Sequence, residues 1–158
     1  MNSKVEVKCL DKPKILIVDD DDAIRATMQA ILQDEGYLVD MASSGKEAIE
    51  KTKEKSYDIA LLDIKLPDME GVELLQLMKD GVPRTRKIMV TGYPSIQNAV
   101  AAVNQKADAY LIKPVDLDNL LATIKQQIDL QQEEKAFSEK KVAEFIENRV
   151  KEITINQV

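Results

Sequence analysis

The chain has 158 residues, 44% hydrophobic and 32% charged, with a net charge of −6, enough for one domain with a real core plus a short extra segment. The acidic balance disfavours nonspecific nucleic-acid binding, which relies on Lys and Arg neutralising phosphates, and no apolar run approaches the ~20 residues of a membrane span. The absence of His excludes a Ser-His-Asp triad, a Cys-His pair, a His metal cage and a phosphohistidine within the chain. The single Cys9 has no internal disulfide partner, and Met1 to Lys12 lacks the apolar core of a signal peptide. Both fit a reducing cytoplasm.

Lys14-Ile15-Leu16-Ile17-Val18 is a continuous apolar run ending in Asp19-Asp20-Asp21-Asp22, which predicts a strand buried on both faces with acids at its carboxyl end. Ile24, Met28, Ile31 and Leu32 then recur at helical spacing over Ala23 to Glu35. Asp21 or Asp22 suits its N-cap and Gly36 the position after its end. Tyr37 to Ala42 reads as the second strand. Ser44 with Glu47 makes a capping box for a helix through about Lys55.

Asp58 to Leu62 is the third strand and leads into Asp63, after which Pro67 and Gly71 force a turn. A third helix covers Glu70 to Lys79, with Val72, Leu75 and Met78 inward, and Gly81-Val82-Pro83 breaks it. Lys87 to Thr91 is the fourth strand, Ser95 caps a helix through about Asn104, and Asp108 to Ile112 is the fifth strand, ending at Lys113-Pro114. Asp116 caps the last helix, which starts with Leu117, Leu120, Leu121 and Ile124.

Five strands alternating with five helices imply an α/β fold, a doubly wound parallel sheet with helices on both faces. Ligands bind at the carboxyl ends of such strands. Here those ends carry Asp19 and Asp20, Asp63, Thr91, and Lys113. In the flavodoxin-like order 2-1-3-4-5, strands one and three lie side by side and the two acidic ends meet. Grouped carboxylates repel one another until a hard divalent cation enters, and an all-oxygen ligand set favours Mg²⁺. Each of these residues also has an ordinary reading, as an N-cap, a turn residue or a surface charge. It is their joint occurrence at the strand ends that points to a site.

Asp19-Asp20 after the first strand, Asp63 within Leu-Leu-Asp-Ile-Lys-Leu-Pro-Asp-Met-Glu-Gly, Thr91 after the fourth strand, and Tyr110-Leu-Ile-Lys113-Pro114 together resemble the receiver domain of two-component response regulators. The resemblance covers about residues 12 to 128. It implies that Asp63 is the phosphoacceptor, and that Asp19, Asp20, Asp63 and the backbone carbonyl of Lys65 hold Mg²⁺. It implies that Thr91 and Lys113 contact the phosphoryl group, that Thr91 and Tyr110 form a switch, and that the Lys113-Pro114 bond is cis. The expected function is acceptance of a phosphoryl group from a sensor histidine kinase or phosphotransfer protein. A repacked face of helix four, strand five and helix five would then control an effector. That is a cytoplasmic signalling domain rather than an enzyme, with no direct nucleic-acid or membrane contact. Lys106 stands where the family often has Gly, and Tyr93 at a position expected to slow hydrolysis of the phosphoryl group.

No Gly or Pro follows Pro114, so nothing local stops the last helix. The polar stretch Gln131-Gln132-Glu133-Glu134-Lys135 permits a hinge, and Ser138 is able to cap a separate helix. Residues 129–158 are therefore expected to be a helical extension, either folded back on the domain or pairing with a partner, including a homodimer through the stripe Val142, Phe145, Ile146, Val150 and Ile153. Two rival functions stand beside the receiver. One is a haloacid dehalogenase-type phosphatase using Asp19 and Asp21, which leaves Asp63 unexplained. The other is a receiver-like scaffold that is never phosphorylated.

Overall fold

The structure, a computed structural model, describes residues 12–78, 81, 83–92 and 95–156; Cys9, Lys79 and Tyr93 lie outside them. Elements follow in the order β1 (Lys14–Val18), α1 (Asp22–Asp34), β2 (Leu38–Ala42), α2 (Gly45–Glu54), β3 (Ile59–Leu62), α3 (Gly71–Leu77), β4 (Arg86–Thr91), α4 (Ile96–Asn104), β5 (Ala109–Ile112) and α5 (Leu117–Asn156). All neighbouring strands pair in parallel, in the order β2-β1-β3-β4-β5. The alternating sequence pattern thus yields the doubly wound sheet expected of it.

Why the central strands are apolar throughout follows from the pleat, which sends successive side chains to opposite faces. Leu16, Val18, Ala60, Leu62 and Met89 point to one side, where Ala48 of α2, Leu74 and Leu75 of α3 and Ala102 of α4 cover them. Ile15, Ile17, Ile59, Leu61, Ile88 and Val90 point to the other, against Met28 and Leu32 of α1 and Leu120, Ile124 and Ile128 of α5. Both faces are dry, so a run such as Ile15-Leu16-Ile17-Val18 needs no polar alternation.

Local signals behave as their chemistry dictates. Asp21, Ser44 and Ser95 cap α1, α2 and α4, their side chains accepting from the N–H groups of Ile24, Glu47 and Asn98. Gly36 takes φ 95 just beyond α1. Lys106 takes φ 68 after α4, the left-handed region that glycine enters without strain. The Lys113-Pro114 bond is cis.

The helical extension is present, and one of the two courses left open for it is excluded. α5 is a single unbroken helix of 40 residues, so there is no hinge at 131–135 and Ser138 caps nothing. Nor does the extension fold back, because residues 132–156 are exposed throughout. Two residues of the polar stretch at 131–135 are bonded to the domain. The Gln131 side-chain amide donates to the carbonyl oxygens of Arg84 and Asp58 at 2.8 and 3.3 Å, and Glu134 pairs with Arg86 at 2.5 Å.

Candidate functional site

Sheet register builds the site. Val18 lies opposite Leu62, so the next residues, Asp19 and Asp63, emerge side by side. Leu62 lies opposite Met89 and Thr91 opposite Ile112, which brings Thr91 and Lys113 to the same rim. Asp19 is 4% exposed and Asp63 6%, while Asp20 is on the surface. Carboxylate oxygens of the three lie within 4.8 Å of one another. Lys113 reaches in from β5, its Nζ 2.6 Å from Asp19 Oδ2 and 3.3 Å from Asp63 Oδ2. The Lys65 N–H donates to Asp63 Oδ1 at 3.4 Å, and the Asp21 N–H to Asp19 Oδ1 at 3.0 Å. Thr91 is fully buried at the end of β4.

The electrostatics follow from burial against pairing. Burial pushes the Asp63 carboxyl above its ordinary pKa, the neighbouring Asp19 adds to this, and Lys113 and the Lys65 N–H oppose it. Burial disfavours the Lys113 ammonium, but its contacts with Asp19 and Asp63 outweigh that and raise its pKa. A cationic ammonium therefore sits between two buried carboxylates, with the exposed Asp20 carboxylate on the solvent side. Three close carboxylates with an open face are a hard-cation donor set, and their oxygens fit a Mg²⁺ or Ca²⁺ ion.

Tyr110 is half-buried on β5 and packs on the side of the sheet covered by α2, α3 and α4. Burial raises the pKa of its hydroxyl, which lies near the Ser95 backbone without a hydrogen bond of full geometry among the described residues. Lys65 contributes its backbone to the site while its side chain is exposed.

Three positioning residues escaped the sequence reading. Gly71 was read only as a turn former, yet its N–H donates to the Ile64 carbonyl. A Cβ there would run into the Asp63 backbone carbonyl, so glycine is what lets α3 begin against the acceptor strand. Asp68 accepts from the N–H groups of Gly45 and Lys46 at 2.9 Å each, fastening the β3–α3 loop to the start of α2. Only the -Pro-Asp- dipeptide hinted at it. A third, Arg25 of α1, donates to the Asp19 backbone carbonyl and pairs with Asp22, three residues before it on the same helix.

The family model of the response regulator receiver domain matches residues 15–125. The chain belongs to that family. It is 46% identical to a CheY-like response regulator receiver domain protein from Methanospirillum hungatei JF-1, whose crystal structure superposes with a TM-score of 0.75 over 78% of this chain and 99% of that one. It is 40% identical over 114 residues to the transcriptional regulatory protein ZraR of Klebsiella oxytoca, covering 72% of this chain and 26% of that protein. It is 39% identical over 114 residues to the alginate biosynthesis transcriptional regulatory protein AlgB of Pseudomonas putida, covering 72% of this chain and 25% of that protein. The chain thus spans about a quarter of the length of the curated relatives it matches. It is a receiver domain of two-component response regulators, a signalling rather than a classical enzyme family, and the phosphatase reading is not favoured. Among the described residues, no helix is long and apolar enough to cross a membrane.

Proposed function

We propose that this receiver accepts a phosphoryl group on Asp63 and relays it as a change of surface. The observation that carries the reading is Asp63 itself: a carboxylate 6% exposed, at a strand end, flanked by two more acids and a lysine. A carboxylate oxygen positioned in line attacks the phosphorus of a donor phosphohistidine. The new O–P bond forms as the N–P bond breaks, and the donor imidazole leaves with the electron pair. The 158 residues contain no His, so the donor lies outside them: a histidine kinase, a phosphotransfer protein or a small-molecule phosphodonor. A groove of about 610 Å³ beside Lys113, lined by Ile24, Met28, Ile31, Val115 and Leu120 among others, offers such a protein an apolar foothold.

Asp19, Asp20, Asp63 and the Lys65 carbonyl would hold Mg²⁺, which when bound offsets charge on the phosphoryl oxygens. Lys113 supplies further positive charge to those oxygens, and the Thr91 hydroxyl donates to one of them. Drawing Thr91 toward the phosphoryl group frees space for Tyr110, and the face of α4, β5 and α5 repacks toward an effector. Residues 12–128 then form the phosphoacceptor domain, and 129–158 continue its last helix as an extension for a partner, in a domain that works in the cytoplasm and itself makes no nucleic-acid contacts.

Acetyl phosphate with Mg²⁺ tests this. The expected product is a base-labile acyl phosphate at Asp63, and Asp63→Asn, which keeps the shape and removes the nucleophile, is expected to abolish labelling. Label at Asp19 would support the phosphatase chemistry instead, and unchanged labelling of the Asn variant would overturn the assignment.

A further inference from the structure

The face that α5 lays on the sheet does not end where the sheet does. Eighteen residues are five full turns of an α-helix, so Val142 and Ile146 lie directly in line with Ile124 and Ile128, the residues that pack on the sheet. Val150 and Ile153 extend this face, and Phe145 widens it. All five are 56–65% exposed. The root of this segment is fixed by Gln131 and by the Arg86–Glu134 pair, so the stripe projects from the domain in a set direction rather than lying back on it.

We propose that residues 132–156 pair with the same segment of a second copy, antiparallel and centred on residue 144. Covering the five apolar side chains removes roughly 500 Å² per copy, or ~1,000 Å² in all, which reaches the floor of about 1,000 Å² for a biological interface before the charged seam residues are counted. Charge decides the direction. Residues 139, 142, 146, 149 and 153 alternate at spacings of three and four, a coiled-coil seam, and two of them are Glu139 and Arg149. Parallel pairing sets each of these against its own copy, like charge on like in a desolvated seam. Antiparallel pairing with Val142 opposite Ile146 of the partner subunit sets Glu139 opposite Arg149 of the partner subunit, twice over. The same register sets Lys135 over Ile153 of the partner subunit, where its aliphatic stem covers an apolar side chain. The charged positions thus select the register, and the apolar pair of Val142 with Ile146 of the partner subunit is satisfied in it. The two receivers then stand at opposite ends, their roots about 36 Å apart along the helix axis, with both phosphoacceptor sites open.

This inference does not rest on the phosphoacceptor reading, and its test reads no phosphorylation. Sedimentation equilibrium on the full chain compares wild type, Glu139→Arg, Arg149→Glu and the double swap, with helical circular dichroism confirming the fold of each. The wild type is expected to be dimeric at tens of micromolar. Each single variant is expected to raise the dimer Kd at least tenfold, and the double swap to return to within about threefold of wild type. Arg149→Glu also removes the exposed pair of Arg149 with Glu152 in its own helix, but so does the double swap, so recovery isolates the contact between copies. A nitroxide at residue 133, on a Cys9→Ser background, is expected to lie more than 30 Å from its mate, since 22 residues of helix rise separate them. A monomeric wild type at 200 µM (about twice the top of the range expected for a weak pair), singles that dimerise like wild type, a double swap that fails to recover, or labels within about 20 Å would each overturn the antiparallel pair.

Discussion

Replacing Lys113 by Met tests whether the ammonium is what makes the acidic rim tolerable. Lys113 spans two carboxylates at 2.6 and 3.3 Å, and the Asp19 and Asp63 side chains are only 5% and 7% exposed. Removing one partner of a buried ion pair typically costs ~3–5 kcal/mol, because the remaining charge stays desolvated. Here two carboxylates are stranded, but the lysine side chain is itself 18% exposed and Asp20 opens to solvent, so water reaches the gap. The expected loss is therefore below that range, about 2–3 kcal/mol at pH 7 and low ionic strength. Urea unfolding followed by circular dichroism measures it. Millimolar Mg²⁺ is expected to stabilise the Met variant by more than it stabilises wild type, since the carboxylates it neutralises no longer have a competing ammonium. A loss below about 0.5 kcal/mol, the level of an exposed pair, or equal Mg²⁺ increments in both proteins, would refute the reasoning.

Two further outcomes concern the scaffold. Lys106 is exposed at φ 68, where a side chain costs ~1–2 kcal/mol; Lys106→Gly removes that strain but frees the unfolded chain by ~0.5–1 kcal/mol. The net expectation is a gain of about 0.5–1 kcal/mol, read from the urea midpoint at unchanged slope. Asp108 is buried, which raises its pKa, but a bidentate pair with Arg84 at 2.7 and 3.0 Å and the Lys87 N–H overcome that and hold its carboxyl below the ordinary carboxylate value. A depressed folded pKa contributes stability that is present above the unfolded value, about pH 3.9, and lost as pH falls through the folded one. Asp108→Asn is therefore expected to destabilise at pH 7 and to differ much less from wild type at pH 2.5, as measured by thermal unfolding at both.

The sheet was legible because its strands are buried on both faces, and that condition writes itself into the sequence as uninterrupted Ile, Leu and Val. The candidate site was legible for a related reason: carboxylates, a threonine and a lysine each have ordinary uses singly, but parallel pairing brings all the run ends that carry them to one rim. What escaped was whatever depends on backbone approach. Gly71 looks like any turn glycine until the Asp63 carbonyl is seen to fill the place of its Cβ. Asp68 looks like any turn aspartate until its two oxygens are found on the α2 amides, 22 and 23 residues earlier in the chain. Neither contact has a local period or composition to reveal it.

The last helix shows a different limit, a local signal that left two courses open. Gln131-Gln132-Glu133-Glu134-Lys135 has the polarity of a solvated break, and Ser138 just beyond has the chemistry of a new N-cap. Polarity, however, reports only that hydrogen bonds are wanted, not who supplies them. Gln131 is 4% exposed and finds backbone carbonyls at Arg84 and Asp58. Glu134 finds Arg86, a guanidinium that lies at the start of β4 with Asp108 on its other side. Those partners are 47 to 73 residues away in sequence, so no window along the chain contains both halves of the bond. A helix without Gly or Pro costs little to continue once its first turns are held. The fastening at 131–134 therefore carries the backbone through the supposed break and on to Asn156, and the stripe beyond it becomes a surface presented in a fixed direction instead of a loose tail.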